Sequence, residues 1–123
     1  MDSSEKADLG IYSDEVIRLK DEAERHLDSR NYQFAFKAVN EAIKLSSGYS
    51  VLYNLRALIY MDIFDYERAL NDFNQAIKMA PNSPAFYQNR STCYFLLNRF
   101  GEALADLDSA VELAPRDPFY LMR

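Results

Sequence analysis

Residues 84–115 read PAFYQNRSTCYFLLNRFGEALADLDSAVELAP, and thirty-four positions earlier, at 50–81, stands a near-copy, SVLYNLRALIYMDIFDYERALNDFNQAIKMAP. Tyr53 matches Tyr87, Arg56 matches Arg90, Tyr60 matches Tyr94, and Tyr66 matches Phe100. The register continues through Ala69 and Ala103, Leu70 and Leu104, Asp72 and Asp106, Phe73 and Leu107, Ala76 and Ala110, and Pro81 and Pro115. One further step back reaches a weaker copy at 16–47, where Leu19, Ala23, Tyr32, Ala35, Val39, Ala42 and Ile43 keep the pattern. A fixed period of this length marks stacked supersecondary units that bury their apolar faces against one another.

The period and the placing of its residues resemble the tetratricopeptide repeat, a helix-turn-helix unit of 34 residues. The resemblance rests on an aromatic or leucine opening the first helix, a small residue four positions on and an aromatic at the turn. A small, a large apolar and another small residue follow on the second helix, with a closing proline. The second and third copies match at nearly every place. The first has His26 where an aromatic is usual and Ser47 in place of the proline. The glycine common at the turn inside the repeat is absent throughout, replaced by Arg30, Phe64 and Asn98. The resemblance implies an all-α, right-handed α-α superhelix of three repeats, at about 16–49, 50–83 and 84–117.

Hydrophobic periodicity and cap signals place helices at about 14–29, 33–46, 50–62 and 67–79, then from Ser83-Pro84 to near Asn98, and at about 101–113. Ser13 is a candidate N-cap, with Asp14 and Glu15 in the turn it opens. Residues 1–12 read as a polar lead-in and 13–123 as the repeat domain. Asp117-Pro118-Phe119-Tyr120 repeats the logic of Ser83-Pro84, so 118–123 reads as the start of a capping or fourth-repeat helix. No closing element with a polar outer face follows it, and the expectation is a piece cut from a longer array.

The 123 residues carry a formal charge of −5, which argues against a nucleic-acid partner, because binding phosphates requires clustered lysine and arginine. No apolar run reaches the length of a membrane span, and the single cysteine, Cys93, permits no internal disulfide, so the cytoplasm is the simplest compartment. One histidine, His26, and one cysteine leave no metal cluster, and no cofactor is implied. Cys93 reads as a packed residue and His26 as a half-buried stand-in for an aromatic. Glu102, Asp106, Asp108 and Glu112 read as the solvated face of the sixth helix, with Asp72 as the counterpart of Asp106. The chain is therefore expected not to be an enzyme.

The residues that vary while the frame repeats carry the functional reading. On the third helix, Tyr53, Ala57 and Tyr60 form one stripe, and Asn54, Leu58 and Met61 form a second, about 100° round the axis. The equivalents of the second stripe are Lys20, Glu24 and Leu27 on the first helix and Gln88, Thr92 and Phe95 on the fifth. The resemblance implies that this stripe faces a concave groove that binds a peptide or helical segment of a partner protein. Some members of the family clamp the acidic C-terminal tail of heat-shock chaperones with lysines, asparagines and an arginine. Lys20 keeps one of those places, but Glu24, Leu55, Ala85 and Asn89 stand at the others, and Asn54 with Leu58 also fails after a shift of one repeat. Glu24 would repel the tail, so this partner is not expected.

The competing reading is an assembly segment whose contact is the face of the sixth helix, and a third is a targeting domain severed from an enzyme. Leu104 and Val111, with Phe119, are expected to form a self-association face there, with Leu107 internal to its repeat.

Overall fold

The computed structural model describes residues 12–114. Six helices follow one another: α1 (Asp14–Asp28), α2 (Tyr32–Leu45), α3 (Ser50–Asp62), α4 (Tyr66–Met79), α5 (Pro84–Leu96) and α6 (Phe100–Leu113). No strand occurs among the described residues. Packing is densest within the pairs α1/α2, α3/α4 and α5/α6, and next between consecutive pairs, which is the contact order of a helical-repeat superhelix.

The sharp turn inside each pair has one chemistry used three times. Arg30, Phe64 and Asn98 sit at φ 60°, 65° and 61°, in the left-handed region. The residue after each donates its N–H back to the carbonyl of His26, Tyr60 or Tyr94, at 2.7, 2.9 and 2.8 Å. The left-handed residues themselves donate to Leu27, Met61 and Phe95, each at 3.0 Å. This double closure satisfies carbonyls that a helix end leaves orphaned. It is made here without glycine, so each turn carries the steric cost of a side chain at positive φ.

Ser13 caps α1, its hydroxyl accepting from the Val16 N–H at 3.2 Å, and Asp65 caps α4 by accepting from Arg68 N–H, also at 3.2 Å. Ser83 occupies the N-cap of α5 ahead of Pro84, as the sequence suggests, but its side chain makes no cap bond.

Two apolar clusters form the core, and α3 belongs to both. Leu52, Leu55 and Ile59 pack with Val16, Leu19, Ala23, Ala35, Ala38, Val39 and Ala42 of the first pair. Ala57, on the other side of α3, packs with Ala69, Leu70, Phe73, Cys93, Tyr94 and Ala103. Tyr53 and Tyr60, of the first stripe on α3, are only half-buried; Leu52, Leu55 and Ile59 are the deeper residues. Small residues at 23 and 57, and at 35, 69 and 103, let the helix axes approach closely.

The acidic face assigned to α6 needs correction. Asp72 and Asp106 are 6% and 4% exposed and lie inside the repeats. Asp72 takes a two-pronged ion pair from Arg56, at 2.7 and 2.8 Å, and Asp106 takes one from Arg90, at 2.8 and 2.6 Å. The third prong of each guanidinium reaches back into the preceding pair, from Arg56 to Asn40 Oδ1 and from Arg90 to Asn74 Oδ1, both at 3.0 Å. Each arginine also lies over aromatic rings, Arg56 over Tyr53 and Arg90 over Tyr87 and Tyr94. A buried carboxylate is tolerable only when charged donors fill its lone pairs in this way. Glu102, Asp108 and Glu112 are exposed, as expected.

Candidate functional site

The nine predicted groove residues divide into three environments. On α1, Lys20 donates to Glu24 Oε1 at 2.8 Å, with Asp21 Oδ1 at 3.6 Å, and Leu27 is half-buried against the first core cluster. The hydrogen bond from Lys20 to Glu24 holds the ammonium charged, raising its pKa against the opposing cost of burial. On α3, Asn54, Leu58 and Met61 are all half-buried, Leu58 and Met61 leaning on the second cluster. On α5, Gln88, Thr92 and Phe95 are exposed. The Phe95 ring packs edge-on against Phe100, 5.3 Å between centroids.

Four of the nine converge. Glu24, Leu27, Asn54 and Leu58 line one open depression of about 300 Å3 between α1 and α3, together with Asp28, Val51 and Leu55. Lys20, Met61, Gln88, Thr92 and Phe95 do not line it. Asn54 is tied to the next pair, its side-chain carbonyl accepting from Asn89 Nδ2 at 3.0 Å. Asp28 and Val51 were not among the sequence candidates, and Leu55 and Asn89 were weighed there only as clamp positions. Asp28 lies four residues after Glu24 and Val51 three before Asn54, the spacing that puts helix residues on one face. That spacing was the available signal.

The rest of the site chemistry is inert. Cys93 is fully buried, its thiol directed at the Tyr66 carbonyl 3.2 Å away, and desolvation raises its pKa to about 11. A thiol so placed stays protonated and is a poor nucleophile at neutral pH. His26 packs its ring on Phe34, 5.4 Å between centroids. Among the described residues no group of three or more histidine, cysteine or acidic side chains is arranged to hold a metal. No helix among them is long and apolar enough to cross a membrane.

The far end of the array exposes apolar surface. Leu104 and Val111 on α6 are 61% and 76% exposed, whereas Leu70, at the place of Leu104 in α4, is 7% exposed. Leu107, expected to be internal, is 46% exposed, although its counterpart Phe73 is completely buried. α5 packs against α4 and covers that face, while no further described helix follows α6. Phe119 lies outside the described residues.

Comparison with known proteins places this architecture. No curated protein matches the sequence. The first domain of Spaghetti (RPAP3) bound to the HSP90 peptide SRMEEVD is 22% identical, over 87% of this chain and 85% of that one, with a TM-score of 0.79. The TPR2B domain of yeast Sti1, in its pHsp70 complex, is 25% identical over 82% and 81%, with a TM-score of 0.78. The type III secretion translocator chaperone SycD of Yersinia enterocolitica is 21% identical over 90% and 84%, with a TM-score of 0.81. A model of the tetratricopeptide repeat family matches residues 55–120, more than half of the sequence. With three helix pairs in a 34-residue register behind that match, this chain belongs to the tetratricopeptide repeat family.

Proposed function

We propose that this domain is a non-catalytic interaction module whose groove, along the first helices of the repeats, takes an extended or helical segment of a partner protein. The observation that carries the reading is the row of apolar side chains left partly open on that face. Leu27, Leu58 and Met61 are half-buried and Phe95 is exposed, while the frame behind them is closed. A bound segment would complete their burial, and Asn54 and Gln88 offer amides to its backbone. Similar folds captured with an HSP90 peptide and in a pHsp70 complex support the reading as an interaction module.

An acidic peptide such as the HSP90 peptide SRMEEVD suits this groove poorly. Lys20 already spends its charge on Glu24 at 2.8 Å, and Leu55 stands buried at a place where a clamp needs an amide. An entering carboxylate would meet Glu24 and Asp28.

The test is a crosslinking pull-down with the full chain and with Met61→Glu. Partner recovery is expected to fall at least tenfold with helicity and cooperative melting retained. Undiminished recovery would move the site off the groove, and loss of folding would make Met61 a core residue. In that second case Phe95→Glu, at an exposed position, decides the matter.

A second reading is favoured by the exposed α6 face. Leu104, Leu107 and Val111 form an apolar strip that in α4 is covered, so assembly or self-association through α6 is the alternative route to partners.

A further inference from the structure

We infer that the depression between α1 and α3 is a seat for one lysine or arginine side chain of the bound segment, so that the partner of this groove is a basic, apolar-flanked peptide. The inference rests on the groove reading above and specifies its ligand.

The seat is lined by apolar and acidic side chains together. Val51, Leu27, Leu58 and the buried Leu55 supply the apolar lining, and half-buried Glu24 and Asn54 with exposed Asp28 supply the polar one. At about 300 Å3 the space is at the lower end of ligand sites, the scale of one long side chain. A lysine or arginine fits such a shape by laying its methylene stem on apolar surface and keeping its head at the wet edge. The two carboxylates are not equivalent. Glu24 already accepts from Lys20, whereas Asp28 has no ion pair or hydrogen-bond partner among the described residues. Among the described residues no cationic side chain lines the depression.

The helix ends add to the same sign. Asp28 is the last residue of α1, so its charge sits beside the negative end of that helix. Asp62, at the matching place 34 residues on, closes α3 in the same way and accepts from the Tyr32 hydroxyl at 3.3 Å. An anionic ligand would be repelled along this edge, and a neutral one would leave Asp28 without a counterion.

The experiment pans phage-displayed random dodecapeptides on the 123-residue chain. The best peptide is then measured by fluorescence anisotropy, beside a version with its basic residue replaced by norleucine. Enriched peptides are expected to carry a lysine or arginine flanked by apolar residues. Norleucine, or Asp28→Asn in the protein, should each weaken binding about fivefold, the two losses should not add, and rising salt should erase the difference. Asp28→Lys should weaken it further. Because Asp28 is exposed and has no partner among the described residues, these variants are expected to keep the fold, which circular dichroism checks. Peptides without a basic residue that Asp28→Lys leaves unaffected, but Met61→Glu abolishes, would overturn the seat and leave the groove. Binders indifferent to both Met61→Glu and Phe95→Glu, or no enrichment at all, would overturn the groove and the seat with it.

Discussion

Replacing Asp106 with alanine should remove much more stability than the loss of a surface charge. The carboxylate is almost fully buried, and Arg90 grips it with two prongs at 2.8 and 2.6 Å. Breaking a buried pair by deleting one partner costs about 3–5 kcal/mol, because the other charge stays buried without compensation. Here the orphan is Arg90, whose side chain keeps 18% of its exposure, its bond to Asn74 at 3.0 Å and the faces of Tyr87 and Tyr94. These remaining contacts reduce the loss to about 2–4 kcal/mol. Exposed pairs such as Arg68 with Asp65 are worth only about 0.3–0.5 kcal/mol. The first repeat is an internal control, since Glu22 and Ala38 occupy the places of the arginine and the aspartate and no such pair forms there. Arg90→Met combined with Asp106→Ala should therefore return to within about 1 kcal/mol of the parent. Urea denaturation of the parent, both single variants and the double variant closes the thermodynamic cycle. A cost below about 0.5 kcal/mol for Asp106→Ala, or single losses that simply add, would refute the argument.

At the second turn, Phe64 is 77% exposed and held at φ 65°, so Phe64→Gly should be about 1 kcal/mol more stable than Phe64→Ala, and the reverse order in thermal melts would discount the strain. Cys93, with its pKa raised to about 11, should react with a disulfide reagent at pH 8 only as fast as the protein opens, so fast labelling of native protein would contradict its burial. The same shift has a pH consequence: burial favours the neutral thiol, so the unfolded chain ionises first and stability should decline as pH rises from about 9 towards 11, a decline that Cys93→Ser should reduce but not abolish, because burial also raises the Tyr94 phenol. The α6 strip should drive association, so sedimentation at rising concentration is expected to show a dimer that Leu104→Glu dissociates, and a strict monomer at high micromolar concentration would exclude that face.

The helices were legible because the period is. Their ends fall within one or two residues of the sequence expectation, and Asn98, near which the fifth helix was expected to end, is left-handed, a conformation its type tolerates. The buried charges were equally visible and misread. Arg56 and Arg90, Asp72 and Asp106, and Asn40 and Asn74 all recur in step. A helix carboxylate taken alone reads as solvated, whereas opposite charges recurring together at one spacing are evidence of a repeated internal bond. Leu52, Leu55 and Ile59 escaped for the opposite reason. Their counterparts are Phe86, Asn89 and Cys93, so identity changes while burial or contact persists, and a method that follows recurring identities passes over them.

The groove shows the same division between what one helix encodes and what only the packed array reveals. The stripe at 20, 24 and 27 and the bond from Lys20 to Glu24 follow from spacing along a single helix. The depression does not, because its apolar lining takes Leu27 from α1 and Leu55 and Leu58 from α3. That junction differs from the next one on the groove side, where Asn89 of α5 donates to Asn54 of α3 at 3.0 Å. Between the second and third repeats, Arg90 ties Asn74 to Asp106, and between the first and second Arg56 ties Asn40 to Asp72, yet both bonds lie away from the depression. On the groove side, α1 meets α3 through apolar contact and the half-open seat. A ligand wedged there would add contacts to both helices at once, and anything that binds only the folded array stabilises it by mass action. Occupation of the proposed seat should therefore tighten the one repeat that lacks the buried arginine–aspartate pair, and the gain should be confined to the α1–α3 junction, with the α5/α6 end left as it was.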